Sequence, residues 1–154
     1  KELLKGLMIP LILKFFKPMM FNSLENIMKK GKDRPIDEVM KDIMIDRLNL
    51  GRKNKKLLKT MILESFYHDE LLNPIKEQIA PKIMPFIDDF MKDNINKGNF
   101  KELDPRFIER TALSMIIGYF VLTDIFPEIF PSEDEETEID KMVDVFLNGT
   151  GKKE

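Results

Sequence analysis

The sequence has no cysteine. A disulfide framework and thiolate chemistry are therefore excluded, and a reducing, cytoplasmic location is expected. Histidine occurs once, as His68 in "YHDE". Asp69 and Glu70 follow it, but no HxxxH or comparable ligand spacing exists, so it reads as a surface histidine and no metal is expected. An excess of either charge is also missing. The net charge is −2, which favours neither nucleic acid nor a charge-driven membrane role. No long apolar run is present. The greasiest stretch, "LMIPLILKFFKPMMF" from Leu7 to Phe21, is interrupted by two lysines and two prolines, and a spanning helix needs ~20 apolar residues. Lys14 breaks the run and no small-residue cleavage site follows, so it does not read as a signal peptide. A Gly-rich phosphate loop, GxSxG and a Cys–His pair are all absent, and Asp88-Asp89 lies on a polar helix side. The chain is therefore not expected to be an enzyme, and no cofactor is expected.

What is present is an ordinary globular composition. Of 154 residues, 43% are hydrophobic and 34% charged, which is too apolar for disorder and suits one domain over residues 1–154. Alternation is scarce and a 3.6-residue period dominates, so the fold class is all-α with about six helices. The first block runs from about Lys1 to Lys29, contains Pro10 and Pro18, and stops at Gly31. The second starts behind Pro35 with Asp33 as cap and ends at "NLG", Asn49 to Gly51. It is the least amphipathic. The third spans about Asn54 to Tyr67. The fourth runs from Asp69 to Lys97-Gly98, and Pro74, Pro81 and Pro85 crowd it; they bend it or mark a short loop. Asp104 caps the fifth, with Pro105 at its first position. Ser132 caps the sixth, which ends at "LNG".

The fifth helix, "ERTALSMIIGYFVLTDIF", is apolar on nearly every side. At 100° per residue, Ile108, Ala112, Met115, Tyr119, Leu122 and Phe126 gather on one side. The other carries Glu109, Arg110 and Asp124, but also Leu113, Ile117 and Phe120. Leaving those three wet forgoes roughly 1.5–3 kcal/mol each. Two covers suffice: the last helix together with a second copy of the chain, as a four-helix bundle, or the rest of a monomer in which this helix is central. The last helix has a single stripe of Ile139, Met142, Val143, Phe146 and Leu147.

"NKKLLKTMILESFYHDELLNPIKEQIAPKIMPFIDDFMKDNINKGNFKELDPRFIERTALSMIIGYFV" resembles the sensor domain of the tetracycline-repressor (TetR) family of bacterial transcription regulators. The tail "IDKMVDVFLNGTG" resembles the closing helix of that family. "KELLKGL" is similar to the residues that follow its helix-turn-helix. The resemblance implies a homodimer whose last two helices form the bundle, with Leu113, Ile117, Phe120, Asp124, Met142 and Phe146 at the interface. It implies that residues 1–29 link the sensor to a DNA-binding head that precedes Lys1 and is absent here, so DNA is reached only through that head. It also implies a pocket for a small lipophilic ligand within the first, third, fourth and fifth helices.

Residue types supply the pocket candidates. Phe16, Met19, Met20 and Ser23 share a face of the first helix. Met61 and Ser65 share one on the third, Ile83, Ile87 and Met91 on the fourth, and Met115 and Tyr119 on the fifth. Methionine suits adaptable apolar surfaces, and apolar walls with a few polar groups suit small molecules. Plain core packing is the alternative, with Ser23 and Ser65 bonding back to their own helices. Under the resemblance, a ligand that tilts the first helix changes the spacing of two reading heads, which must sit about 34–36 Å apart. Two other readings stay open: a stand-alone lipid-carrying or protein-interaction domain, and a membrane-surface protein using Leu7 to Phe21. The ligand, the operator and the sign of the response are not legible.

Overall fold

The computed structural model describes residues 17–152 together with Gly6, Leu7, Pro10, Leu11 and Lys14; for Lys17 and Met19 it describes the backbone only. The fold is all-helical. Among the described residues there are six α-helices and no strand: α1 (Lys17–Lys30), α2 (Ile36–Lys53), α3 (Lys55–Ser65), α4 (Ala80–Asn96), α5 (Pro105–Phe120) and α6 (Glu135–Asn148).

The helix at the centre is α2. α2 packs against α1, α3, α5 and α6, and Val39, Met40, Met44 and Leu48 on it are almost completely buried. Its polar residues are spent on neighbours. Arg34 pairs with Asp42 at 2.7 Å, and Lys41 reaches Asp140 of α6 at 2.9 Å.

α2 also runs past the stop expected at Asn49 to Gly51 and continues to Lys53. Gly51 is buried inside the helix, and a Cβ there would sit 3.3 Å from the Phe120 ring. This glycine admits an aromatic ring from α5, and the helix ends instead at Asn54, whose side-chain amide donates to Leu50 O at 2.9 Å. The start of α2 differs as well. Pro35 occupies the cap position and no side chain caps the helix, because Asp33 lies too early in the chain to reach the first free amides.

The fourth block is divided. A 3₁₀ turn covers Asp69–Leu71, a widened π turn covers Ile75–Ile79, and α4 follows. Pro81 has no amide to offer Glu77 O, so the ladder opens by one residue there and the Ala80 amide donates to Ile75 O. Pro85 lies within α4.

α5 begins as expected, with the Asp104 carboxylate accepting from the Arg106 amide at 3.0 Å. After Phe120 it widens into a π turn over Val121–Ile125, and Pro127 prevents further helix. α6 is capped by Asp134, not Ser132: its carboxylate accepts from the Thr137 amide at 3.3 Å and from the Thr137 hydroxyl at 2.5 Å. Asp134 directly precedes the helix, which is the position from which a side chain reaches the third amide. Gly149, at φ +82°, ends it.

Two apolar clusters result. The main one joins α1, α2, α4, α5 and α6 through residues such as Met28, Met44, Met91, Ile116 and Val143. The smaller one gathers Met61, Leu71, Ile79 and Ile83 with Met20, Phe21, Leu57, Ile75 and Ile87. Ile87 touches both.

Candidate functional site

Four helices each contribute one stripe to a groove of ≈ 350 Å³. α1 supplies Leu24 and Met28. α2 supplies Ile43 and Arg47, α4 supplies Met84, Ile87 and Met91, and α5 supplies Arg106, Glu109, Arg110, Ala112, Leu113 and Ile116. The spacings are i, i+3, i+4 and i+7, so each set lies on one helix face. The volume falls in the range of small-molecule sites, roughly 300–1,000 Å³.

Arg47 lines the groove from α2. Its guanidinium donates to Met20 O at 2.8 Å, to Ser23 Oγ at 3.0 Å and to Asp46 Oδ2 at 2.9 Å through Nε. Ser23 in turn donates to Asp46 Oδ2 at 3.1 Å. Ser23 therefore bonds across to α2 and not back to its own helix. The cluster ties α1 to α2 with charge-assisted bonds in a half-buried place.

Arg106 and Glu109 also line the groove, and Asp88 lies beside Arg106 outside the lining. Arg106 donates to Asp88 Oδ2 at 2.9 Å through Nη2, and its Nε stands 2.8 Å from Asp88 Oδ1. Glu109, one turn along α5, has a side chain only 9% exposed, with Arg106 Nε 3.6 Å from Oε2. No hydrogen-bond donor reaches either Glu109 oxygen when both acids are ionised. Burial, then the hydrogen bond to Asp88, pushes the Glu109 carboxyl up to about 7. Burial also works against ionised Asp88, but the Arg106 guanidinium and the Glu109 carboxyl outweigh it and hold Asp88 below its ordinary value. Of these two neighbouring carboxyls, Asp88, beside Arg106, therefore ionises first.

Comparison of the chain with protein-family models, with curated proteins and with solved structures finds no match.

Of the residues expected around a ligand, Ile87 and Met91 line this groove. Met20, Met61 and Ile83 come together in the smaller cluster, with Ile87 between the two sites. Ser65 donates to Ile62 O at 2.8 Å, back to its own helix. Met115 and Tyr119 are half-buried elsewhere on α5; the Tyr119 hydroxyl donates to Glu138 of α6, and burial and then that carboxylate raise its pKa above the usual phenol value. Phe16 and the side chain of Met19 lie outside the described residues. The sequence does not single out Leu24, Met28, Ile43 and Ile116, although helical spacing places them on core-facing stripes, nor Glu109, which reads as one charge among several on its side of α5.

The residues expected at a dimer interface separate. Leu113 and Ile117 face outward at 54% and 47% exposure, whereas Phe120 is 8% exposed. Phe120 packs on Gly51, and Asp124 accepts from Arg52 Nε at 3.2 Å, so both are turned to α2. Met142 and Phe146 pack against the main cluster, the Phe146 ring edge-on to Phe100 at 5.8 Å. Beyond α5, Leu122, Phe126, Ile129 and Phe130 are also exposed. Among the described residues, no group of three or more His, Asp or Glu is placed to hold a metal ion, and no helix is long and apolar enough to cross a membrane.

Proposed function

We propose that the chain is a ligand-sensing, dimerising regulatory domain of the tetracycline-repressor kind, a binding domain and not a catalyst. The observation that carries the reading is the double position of α5. Leu113 belongs to the groove wall, and with Ile117 it also forms an outward apolar face. A small lipophilic ligand in the groove presses on α1 through Leu24 and Met28 and on α5 through Ala112 and Ile116. If a second copy covers the outward face of α5, each α1 shifts relative to the twofold axis when the groove fills. Under the resemblance, α1 leads towards a DNA-binding head, so that shift alters the spacing of two heads. A ligand preferring one arrangement 100-fold supplies about 2.7 kcal/mol of bias.

One native mass spectrum of chain purified from its host tests both halves of the reading. The expected species is twice 18.1 kDa plus a small apolar molecule. A bare single chain at every concentration refutes it. The protein-interaction alternative draws support from one feature, the exposed Ile62, Leu63, Phe66 and Tyr67 at the end of α3; a heterologous partner in the same spectrum would favour it.

A further inference from the structure

α3 stands at the edge of the fold. It packs on α2 and on the 3₁₀ turn at Asp69–Leu71, and its inward side, with Leu57 and Met61, belongs to the smaller cluster. Its outward side divides along its length. At the helical period, Lys55, Lys56 and Lys59 lie on that side over the first turns, and Ile62, Leu63 and Phe66 over the last ones. All six are exposed, and so is Tyr67, which follows directly. Phe66 and Tyr67 are 78% and 80% exposed, more than any other large apolar side chain among the described residues.

The charges on this face have one sign. Lys55 donates to Asp124 O at 2.7 Å and keeps its charge, and Lys56 and Lys59 are in no ion pair among the described residues. Glu64 lies towards the inward side, with its carboxylate 3.7 Å from His68 Nε2. Asp69 and Glu70 come only on the turn beyond Tyr67. The net charge of −2 therefore conceals a basic strip that ends in an apolar tip. The outward face of α5 differs, because Leu113 and Ile117 there sit between Arg110 and Asp124, charges of both signs.

We infer that the outward face of α3 docks on an anionic lipid bilayer, with Phe66 and Tyr67 entering the headgroup region and Lys56 and Lys59 against the lipid phosphates. An exposed apolar patch rimmed by polar groups marks a protein or a membrane site. Aromatic rings suit the bilayer interface, and each lysine held near an anionic surface strengthens binding. A second copy laid on this face would offer the lysines no acid. A nucleic acid would meet the lysines and leave the apolar tip uncovered. The inference goes beyond the sensor reading and does not depend on it.

Flotation of the full chain with vesicles of phosphatidylcholine alone, and of phosphatidylcholine with an equal part of phosphatidylglycerol, is the test. The mixed vesicles should bind at least about 10-fold more tightly, and high salt should remove the difference. Lys56→Glu with Lys59→Glu should weaken binding to them about 30-fold or more. Phe66→Ser with Tyr67→Ser should weaken it about 10-fold or more. Both pairs are exposed, so helical circular dichroism should not change. Phe66→Trp places an indole in a chain that has no tryptophan, and its emission should shift to the blue on the mixed vesicles. No binding by the wild-type chain, equal binding to both vesicles, binding that survives either double variant, or an unshifted emission overturns the bilayer assignment. A chain that ignores vesicles but carries a protein partner, lost with Phe66→Ser and Tyr67→Ser, overturns it too and makes the face a protein-docking site. None of these substitutions touches the groove or α5, so the sensor reading stands or falls separately.

Discussion

α2 and α5 both carry many apolar residues, and they cover them in opposite ways. α2 is surrounded by four other helices of its own chain and buries Val39, Met40, Met44 and Leu48. α5 buries Ile108, Ala112, Ile116 and Phe120 and leaves Leu113 and Ile117 outside. Apolar residues on several faces therefore mean one of two things. Either the helix is core, or it serves two surfaces at once. Polar content separates the cases here. On α2, Lys41 and Arg52 pair with acids of α6, and Asp46 and Arg47 pair with each other and bond to α1, whereas the charges of α5 cluster at its N-terminal end around Asp88 and Glu109.

The comparison breaks most visibly under truncation. Leu48→Ala should cost about 3 kcal/mol in urea unfolding, because a fully buried leucine leaves both a transfer and a cavity loss. Leu113→Ala in the dissociated chain should stay within about 0.5 kcal/mol. Equal costs would mean that α5 is as enclosed as α2. Next in size is Asp46→Ala, which strands the Arg47 guanidinium in a half-buried place and should cost about 2 kcal/mol; Ser23→Ala removes one bond of the same cluster and should cost about half as much.

The effect of pH follows in size. Glu109 has an ordinary value of 4.5 and rises to about 7 on folding. Between those values the folded chain holds a proton that the unfolded chain has lost. Its stabilising contribution is thus complete below pH 4.5 and lost as pH rises through 7. Glu109→Gln should flatten that dependence and stabilise the chain by about 1–2 kcal/mol at pH 8, read as a melting temperature across pH. A wild-type chain whose stability climbs with pH in step with this residue would refute the assignment. Gly51→Ala is the mildest test. The new methyl meets the Phe120 ring at 3.3 Å, while helix propensity improves by up to about 1 kcal/mol. The two offset, so the change should stay within about 1 kcal/mol. A large loss would show that the ring cannot yield.

Much of this architecture was legible before folding. The all-α class, the Asp104 cap with Pro105 behind it and the stop at Gly149 follow from local rules that act over a few residues. The misreadings have two causes. Gly51 looks like a stop and is a contact point for Phe120, a partner distant in sequence. Ser132 looks like a cap and stands too far from the helix, where Asp134 two residues on is better placed. The groove divides in the same way. Ile87 and Met91 were readable from helical spacing, but Glu109 resembled any surface acid until Asp88 and Arg106 were folded against it.

The central claim is that a second copy covers the outward face of α5. Sedimentation equilibrium of the wild-type chain and of Ile117→Glu tests it most directly. The account predicts a wild-type mass of twice 18.1 kDa and an Ile117→Glu mass of 18.1 kDa, with the helical circular dichroism of the two unchanged. A wild-type chain at 18.1 kDa across the whole concentration range, or a dimer indifferent to the substitution, would contradict it.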